Sequence, residues 1–227
     1  MSSKVQVTVI SALVLAIVGA AAAYFALAGS AQASNGVIMS SSNVYRFADA
    51  SQVEGATSTL SRTEYGISAT VQTSDLEEGN AYTLWWVIFN HPENCVAPIP
   101  GLSNCGEDDV FGEPFGETPV EVSVQYAGGN IVGGTGHADF GAYLVEGEIP
   151  VGAGQLVFGP GLYDAEKAEV HLVVRDHGPV MPLMEQAQLS TFGGACTAET
   201  EPTGVGPLGD NDCADLQFAI HMPPQGN

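Results

Sequence analysis

Short runs of alternating apolar and polar residues, each stopped by glycine or proline, dominate the chain after residue 35. Four runs are strong. Ala81-Tyr82-Thr83-Leu84-Trp85-Trp86-Val87-Ile88-Phe89 ends at Asn90-His91-Pro92, and its near-continuous apolar character predicts a strand buried on both faces. Val120 to Tyr126 alternates cleanly, so one of its faces is wet. Ala168 to Arg175 stops before Gly178-Pro179, and Asp215 to His221 stops before Pro223-Pro224. Weaker runs are Gly36 to Phe47, Gly66 to Gln72, Ala138 to Val145 and Leu156 to Phe158, with turns at Glu78-Gly79-Asn80, Ala127-Gly128-Gly129-Asn130 and Gly159-Pro160-Gly161. Helical signals are confined to Met181–Leu189 and Asp164–Lys167. Many short strands without intervening helices predict an all-β fold, an antiparallel β-sandwich, immunoglobulin-like or related. With 45% hydrophobic residues the chain can bury a core, and residues 34–227 read as one domain without repeats or linkers.

Residues 1–33 read as a signal peptide or membrane anchor. Lys4 precedes an apolar run from Val5 to Ala28, followed by Ala31-Gln32-Ala33, the small-x-small pattern of a signal-peptidase site. A run of ~20 apolar residues is also long enough to be retained as an anchor. The expected location is secreted, periplasmic or at the cell surface, and membrane-anchored if the segment is kept. Export makes disulfides the natural use of Cys95, Cys105, Cys196 and Cys213. Of the three possible pairings, Cys95–Cys105 and Cys196–Cys213 are preferred, because each pair flanks one Pro/Gly-rich loop. A zinc site is the alternative, weakened by the lack of any Cys-x-x-Cys.

The net charge is -21, and loss of Lys4 makes it -22. Such a chain lacks the basic footprint for nucleic acid and is repelled by anionic membrane surfaces. Divalent cations are plausible counterions. No Gly-x-Ser-x-Gly, His-Glu-x-x-His, phosphate-binding Gly-Lys-Ser/Thr or dinucleotide fingerprint occurs.

Three residue sets are candidate sites. His91, His177 and His221 each sit where a strand stops; if the strand ends share one rim, three imidazoles suit zinc or copper. Asp210, Asp212 and Asp215 cluster oxygen donors on a Gly-rich loop, as calcium prefers, without the EF-hand order. Arg175, with His171 on the same strand, is either half of a structural ion pair or a clamp for a carboxylate ligand. Tyr82, Trp85, Trp86 and Phe89 form an aromatic set in which the two tryptophans face opposite sides of one strand.

Asn80 to Asn90, followed by Cys95 and Cys105-Gly106-Glu107-Asp108-Asp109, resembles an uncharacterised group of exported bacterial proteins. Gly159-Pro160-Gly161-Leu162, the Ala168–Arg175 strand and His177-Gly178-Pro179 fit the same group. The strand after Leu76-Glu77-Glu78-Gly79, together with His171, is also similar to CHRD-type extracellular β domains. Both likenesses imply an extracytoplasmic β domain and carry no catalytic residues across. The expected role is structural or binding, with a cell-surface or extracellular partner. The alternative is an extracytoplasmic metal-dependent or carboxylate-based enzyme using the strand-end histidines.

Overall fold

In a computed structural model, residues 32–34, 36–111, 119–201 and 203–224 are described. The segment read as signal or anchor lies, up to residue 31, outside them. Ten strands follow one another: β1 (Gln32–Ser34), β2 (Val37–Arg46), β3 (Gln52–Thr63), β4 (Gly66–Thr73), β5 (Asn80–Phe89), β6 (Val122–Ile131), β7 (Ala138–Val145), β8 (Leu156–Phe158), β9 (Glu169–Pro179) and β10 (Ala214–His221). The described helices are short: α1 (Glu107–Phe111), α2 (Glu185–Gln188) and a 3-10 turn at Pro92–Asn94. Among the described residues no helix is long and apolar enough to cross a membrane.

The protein is antiparallel β, as the alternation predicts, but its strands do not form two stacked sheets. They make one sheet in the order β7-β4-β3-β2-β10-β9-β5-β6-β8, with β1 added to β2. Pairing of β10 with β2 fuses what a sandwich would keep as separate layers. The sheet curls into a half-barrel until β6 nears β7, where Asn130 Nδ2 donates to the Asp139 carbonyl at 3.3 Å. Register shifts at Asn43/Tyr45, Leu84/Trp85 and Asp215/Gln217 add the local twist that such curvature needs. One of these shifts falls beside Ala127-Gly128-Gly129-Asn130, which is bulged strand rather than the expected turn.

The concave face holds the main core. Tyr82, Leu84, Trp86 and Ile88 of β5, Val170, Leu172 and Val174 of β9, and Leu60, Ile67, Val71 and Phe140 from β3, β4 and β7 meet there. Arg62 of β3 is also turned inward and is only 1% exposed. Its guanidinium donates to the carbonyls of Ala165 (2.6 Å), Ala168 (2.8 Å), His221 (3.0 Å) and Met222 (3.3 Å), so it ties β3 to the segment before β9 and to the end of β10. Burial lowers its pKa to about 10, against the opposing pull of Glu169. Beside it, His221 bonds through Nε2 to Ser58 Oγ (2.8 Å) and through Nδ1 to Ser40 Oγ (2.9 Å). Burial first, then the charges of Arg62 and His171, push its pKa down to about 3, so the ring is neutral at ordinary pH.

Candidate functional site

The functional interest lies on the opposite, convex face of β10, β9, β5 and β6. Alternation puts Glu169, His171, Val173 and Arg175 of β9 opposite Phe89, Val87, Trp85 and Thr83 of β5. On the other side His171, Val173 and Arg175 face Ile220, Phe218 and Asp215 of β10. These apolar side chains form a second core with Val122 and Val124 of β6, distinct from the concave one. β5 is therefore buried on both faces, as its sequence predicts.

Two irregular segments cover this second core, each closed by one disulfide. Cys95–Cys105 closes the loop after β5, and Cys196–Cys213 closes the loop before β10. The first loop is held by two buried acids. The Asp109 carboxylate accepts the backbone N–H groups of Val96 (2.7 Å), Ala97 (3.1 Å) and Gly106 (3.0 Å). Glu169 accepts those of Asn104 (3.2 Å) and Cys105 (3.3 Å) and also bonds to His171 Nε2 at 2.8 Å. Without these carboxylates several buried N–H groups would lack acceptors, at ~1–3 kcal/mol each.

The second loop is pinned by a chain of polar side chains. Trp85 Nε1–H donates to Thr83 Oγ1 (2.6 Å), and Thr83 Oγ1 lies 2.7 Å from His177 Nε2. His177 Nδ1 lies 3.0 Å from the Gly194 carbonyl, which can only accept, so Nδ1 carries the proton and Nε2 takes that of Thr83. Burial, reinforced by the charge of Arg175, lowers the His177 pKa to about 4 and keeps this tautomer neutral. Asn211 Nδ2 donates to the carbonyls of His177 (2.7 Å) and Pro179 (2.9 Å), and Tyr126 OH donates to Leu189 O (2.7 Å). Gly129 lets the loop sit this close to β6: a Cβ there would lie 2.2 Å from Leu189 O.

Between the two loops a recess of about 410 Å³ remains, within the ~300–1,000 Å³ range of small-molecule sites. Trp85, Val87, Phe89, Val173, Phe192 and Phe218 form its apolar walls, and His171, Glu107 and Asp215 supply polar edges. Phe192 is fixed edge-on to Trp85 (centroids 5.1 Å apart) and lies under the Arg175 guanidinium (4.2 Å). The mostly apolar lining with few polar groups has the make-up of a binding site for a small apolar molecule.

The residue sets singled out in the sequence are dispersed. His91 is on the surface, within reach of Glu93 (3.1 Å) and Glu121 (3.3 Å). His221 points into the concave core, whereas His177 lies on the convex side at the opposite end of β9. His221 pairs with Val170, seven residues from His177, or ~23 Å along a strand. The three histidines do not converge. Asp210 and Asp212 are exposed, and Asp215 bonds to Arg175 NH1 at 2.8 Å. Among the described residues, the only His/Cys/Asp/Glu groups with three ligand atoms within 4.8 Å of one another are His177–Cys196–Cys213 and Cys95–Cys105–Asp109. Each contains a disulfide. Arg175 directs its donors to Asp215, Phe192 O (3.1 Å) and Thr200 O (2.7 Å), the arrangement of a structural pair across two strands. His171 lines the recess. Phe192 and Phe218 escaped the sequence reading, because loop residues and strand parity reveal a shared wall only once the loops are placed. No family model, no curated protein and no solved structure matches the chain.

Proposed function

We propose that the protein is an exported binding protein that holds a small apolar molecule in the convex recess, between its two disulfide-closed loops. The recess carries this reading: about 410 Å³, walled by aromatic and branched aliphatic side chains and edged by His171. Export is supported by the two disulfides, which persist in oxidising compartments, and by the apolar N-terminal stretch. Binding rather than structure is favoured because both loops have polar anchors beside the apolar walls, Asp109 in one and the partners of His177 and Asn211 in the other. The loops bury the apolar walls yet leave a recess between them that a purely structural cover would have filled.

The test is saturable binding of a neutral apolar dye, N-phenyl-1-naphthylamine, to the purified domain, followed by its fluorescence and by transfer from tryptophan. Val173→Trp should fill the recess and abolish binding while the variant still unfolds in urea in one cooperative transition. Equal binding by the parent and by Val173→Trp would overturn the proposal.

A further inference from the structure

We infer that the ligand is a cationic amphiphile, an apolar body carrying an ammonium-type head seated beside Asp215. The inference rests on the recess being a ligand site. It follows from an inventory of charge. Outside the N-terminal segment the chain has four cations, Arg46, Arg62, Lys167 and Arg175. All four are committed within the protein: Arg46 to Asp75, Arg62 to four carbonyls, Lys167 to Asp164 at 2.7 Å and Arg175 to Asp215, Phe192 O and Thr200 O. The recess lining contains no lysine or arginine but two carboxylates, Glu107 and Asp215. An anionic head would therefore meet Glu107 and Asp215 and, as its nearest cation, only Arg175, which is already paired with Asp215. His171, which also lines the recess, bonds through Nε2 to the Glu169 carboxylate.

The Asp215 end suits a cation in a second way. Asp215 gives Oδ1 to Arg175, while its side chain stays 33% exposed. The Phe47 N–H donates to the Leu216 carbonyl (2.9 Å), and the Phe47 ring packs at 4.8 Å against Phe218. Phe47 and Phe218 line the recess together with Asp215, and the Phe192 ring is already capped by the Arg175 guanidinium. Ring faces carry negative charge density and attract ammonium groups. The -21 net charge adds a long-range pull on cations and repels anions.

The experiment uses three probes with the same dodecyl chain, below their micellar concentrations: dodecyltrimethylammonium, dodecanol and dodecanoate. Each is titrated against the dye-loaded domain. The expected order is ammonium tightest, at least tenfold over dodecanoate, with dodecanol between and the gap shrinking as salt is raised. Asp215→Asn should weaken the ammonium probe several-fold and leave dodecanol unchanged. Should Arg175, left unpaired, prevent that variant from folding, Glu107→Gln removes the other carboxylate of the recess and should likewise weaken the ammonium probe and spare dodecanol. Equal displacement by all three probes would overturn the charge assignment while leaving the recess as a site. Displacement by none would overturn the recess itself.

Discussion

The two halves of the sheet share one concave core but treat their convex faces in opposite ways. On β2, β3, β4 and β7 the convex face is wet: Thr59 bonds to Thr70 and Ser61 to Ser68 across strands, both at 2.7 Å, and Met39 and Tyr143 stand in solvent. On β10, β9, β5 and β6 it is apolar and carries both disulfide-closed loops. The difference shows what a curled sheet needs. Ladder bonds and one buried face sustain the wet half, with a two-residue turn between β3 and β4. A second apolar face must be covered, and here long loops supply the cover. Such loops have no ladder of their own, so buried acids, amides and a neutral histidine hold them. The recess lies where the two covers stop short of each other.

Matched removal of aromatic rings is the strongest way to break this comparison. Trp85 is 1% exposed on the covered face, and Tyr143 is 62% exposed on the wet one. Trp85→Ala should destabilise the protein by about 3–5 kcal/mol, through lost packing and through the interrupted Thr83–His177 chain. Tyr143→Ala should stay within about 0.5 kcal/mol. Urea denaturation of both variants measures the contrast, and comparable losses would mean that the two faces are not energetically distinct.

Acid should act next, and mainly through buried histidines. His177 anchors the covering loop and His221 sits under the wet half, with folded-state pKa values of about 4 and about 3 against an ordinary ~6.5. The unfolded chain therefore binds protons first as pH falls. Stability is complete above pH ~6.5 and is lost as pH drops towards the folded values, by about 2 kcal/mol per histidine at pH 5. Asp176, raised by burial, opposes this weakly, since its folded form gains the proton more readily. The parent should lose urea resistance between pH 7 and 5, and His177→Gln should lose about half as much over that range. If the loss were unchanged in His177→Gln, the proposed anchoring of the covering loop would fail.

How much of this was legible in the sequence follows the same division. β5, β9 and β10 announce themselves because both of their faces are apolar. β3 does not: its inward side chains include Ser58 and Arg62, so its pattern is not amphipathic although it is the longest strand. The preferred disulfide pairing was readable because each pair flanks a single loop. Whether the sheet stacks or curls was not, since period-two alternation marks a buried face without saying what buries it. The strand-end histidines share a position in sequence, but antiparallel neighbours end at opposite rims and adjacent residues face opposite sides, so that likeness does not become proximity. Asp109 is the third acid of the run Glu107-Asp108-Asp109, which has the composition of a solvated turn, and only its three N–H partners reveal it as a loop anchor.

The finest test concerns the hydroxyl pairs of the wet face. Thr59 and Thr70 lie directly opposite each other on β3 and β4. Cross-strand hydroxyl pairs contribute ~0.2–1 kcal/mol, and water can replace a bond made at an exposed position. Thr59→Val keeps the β-branched shape and removes only the hydroxyl, so it should shift stability by less than about 0.5 kcal/mol. A double-mutant cycle with Thr70→Val should give a coupling of similar size. A coupling above about 1.5 kcal/mol would mean that the hydroxyls are withdrawn from water. The convex face of β3 and β4 would then be covered too, and the contrast between the two halves would have to be redrawn.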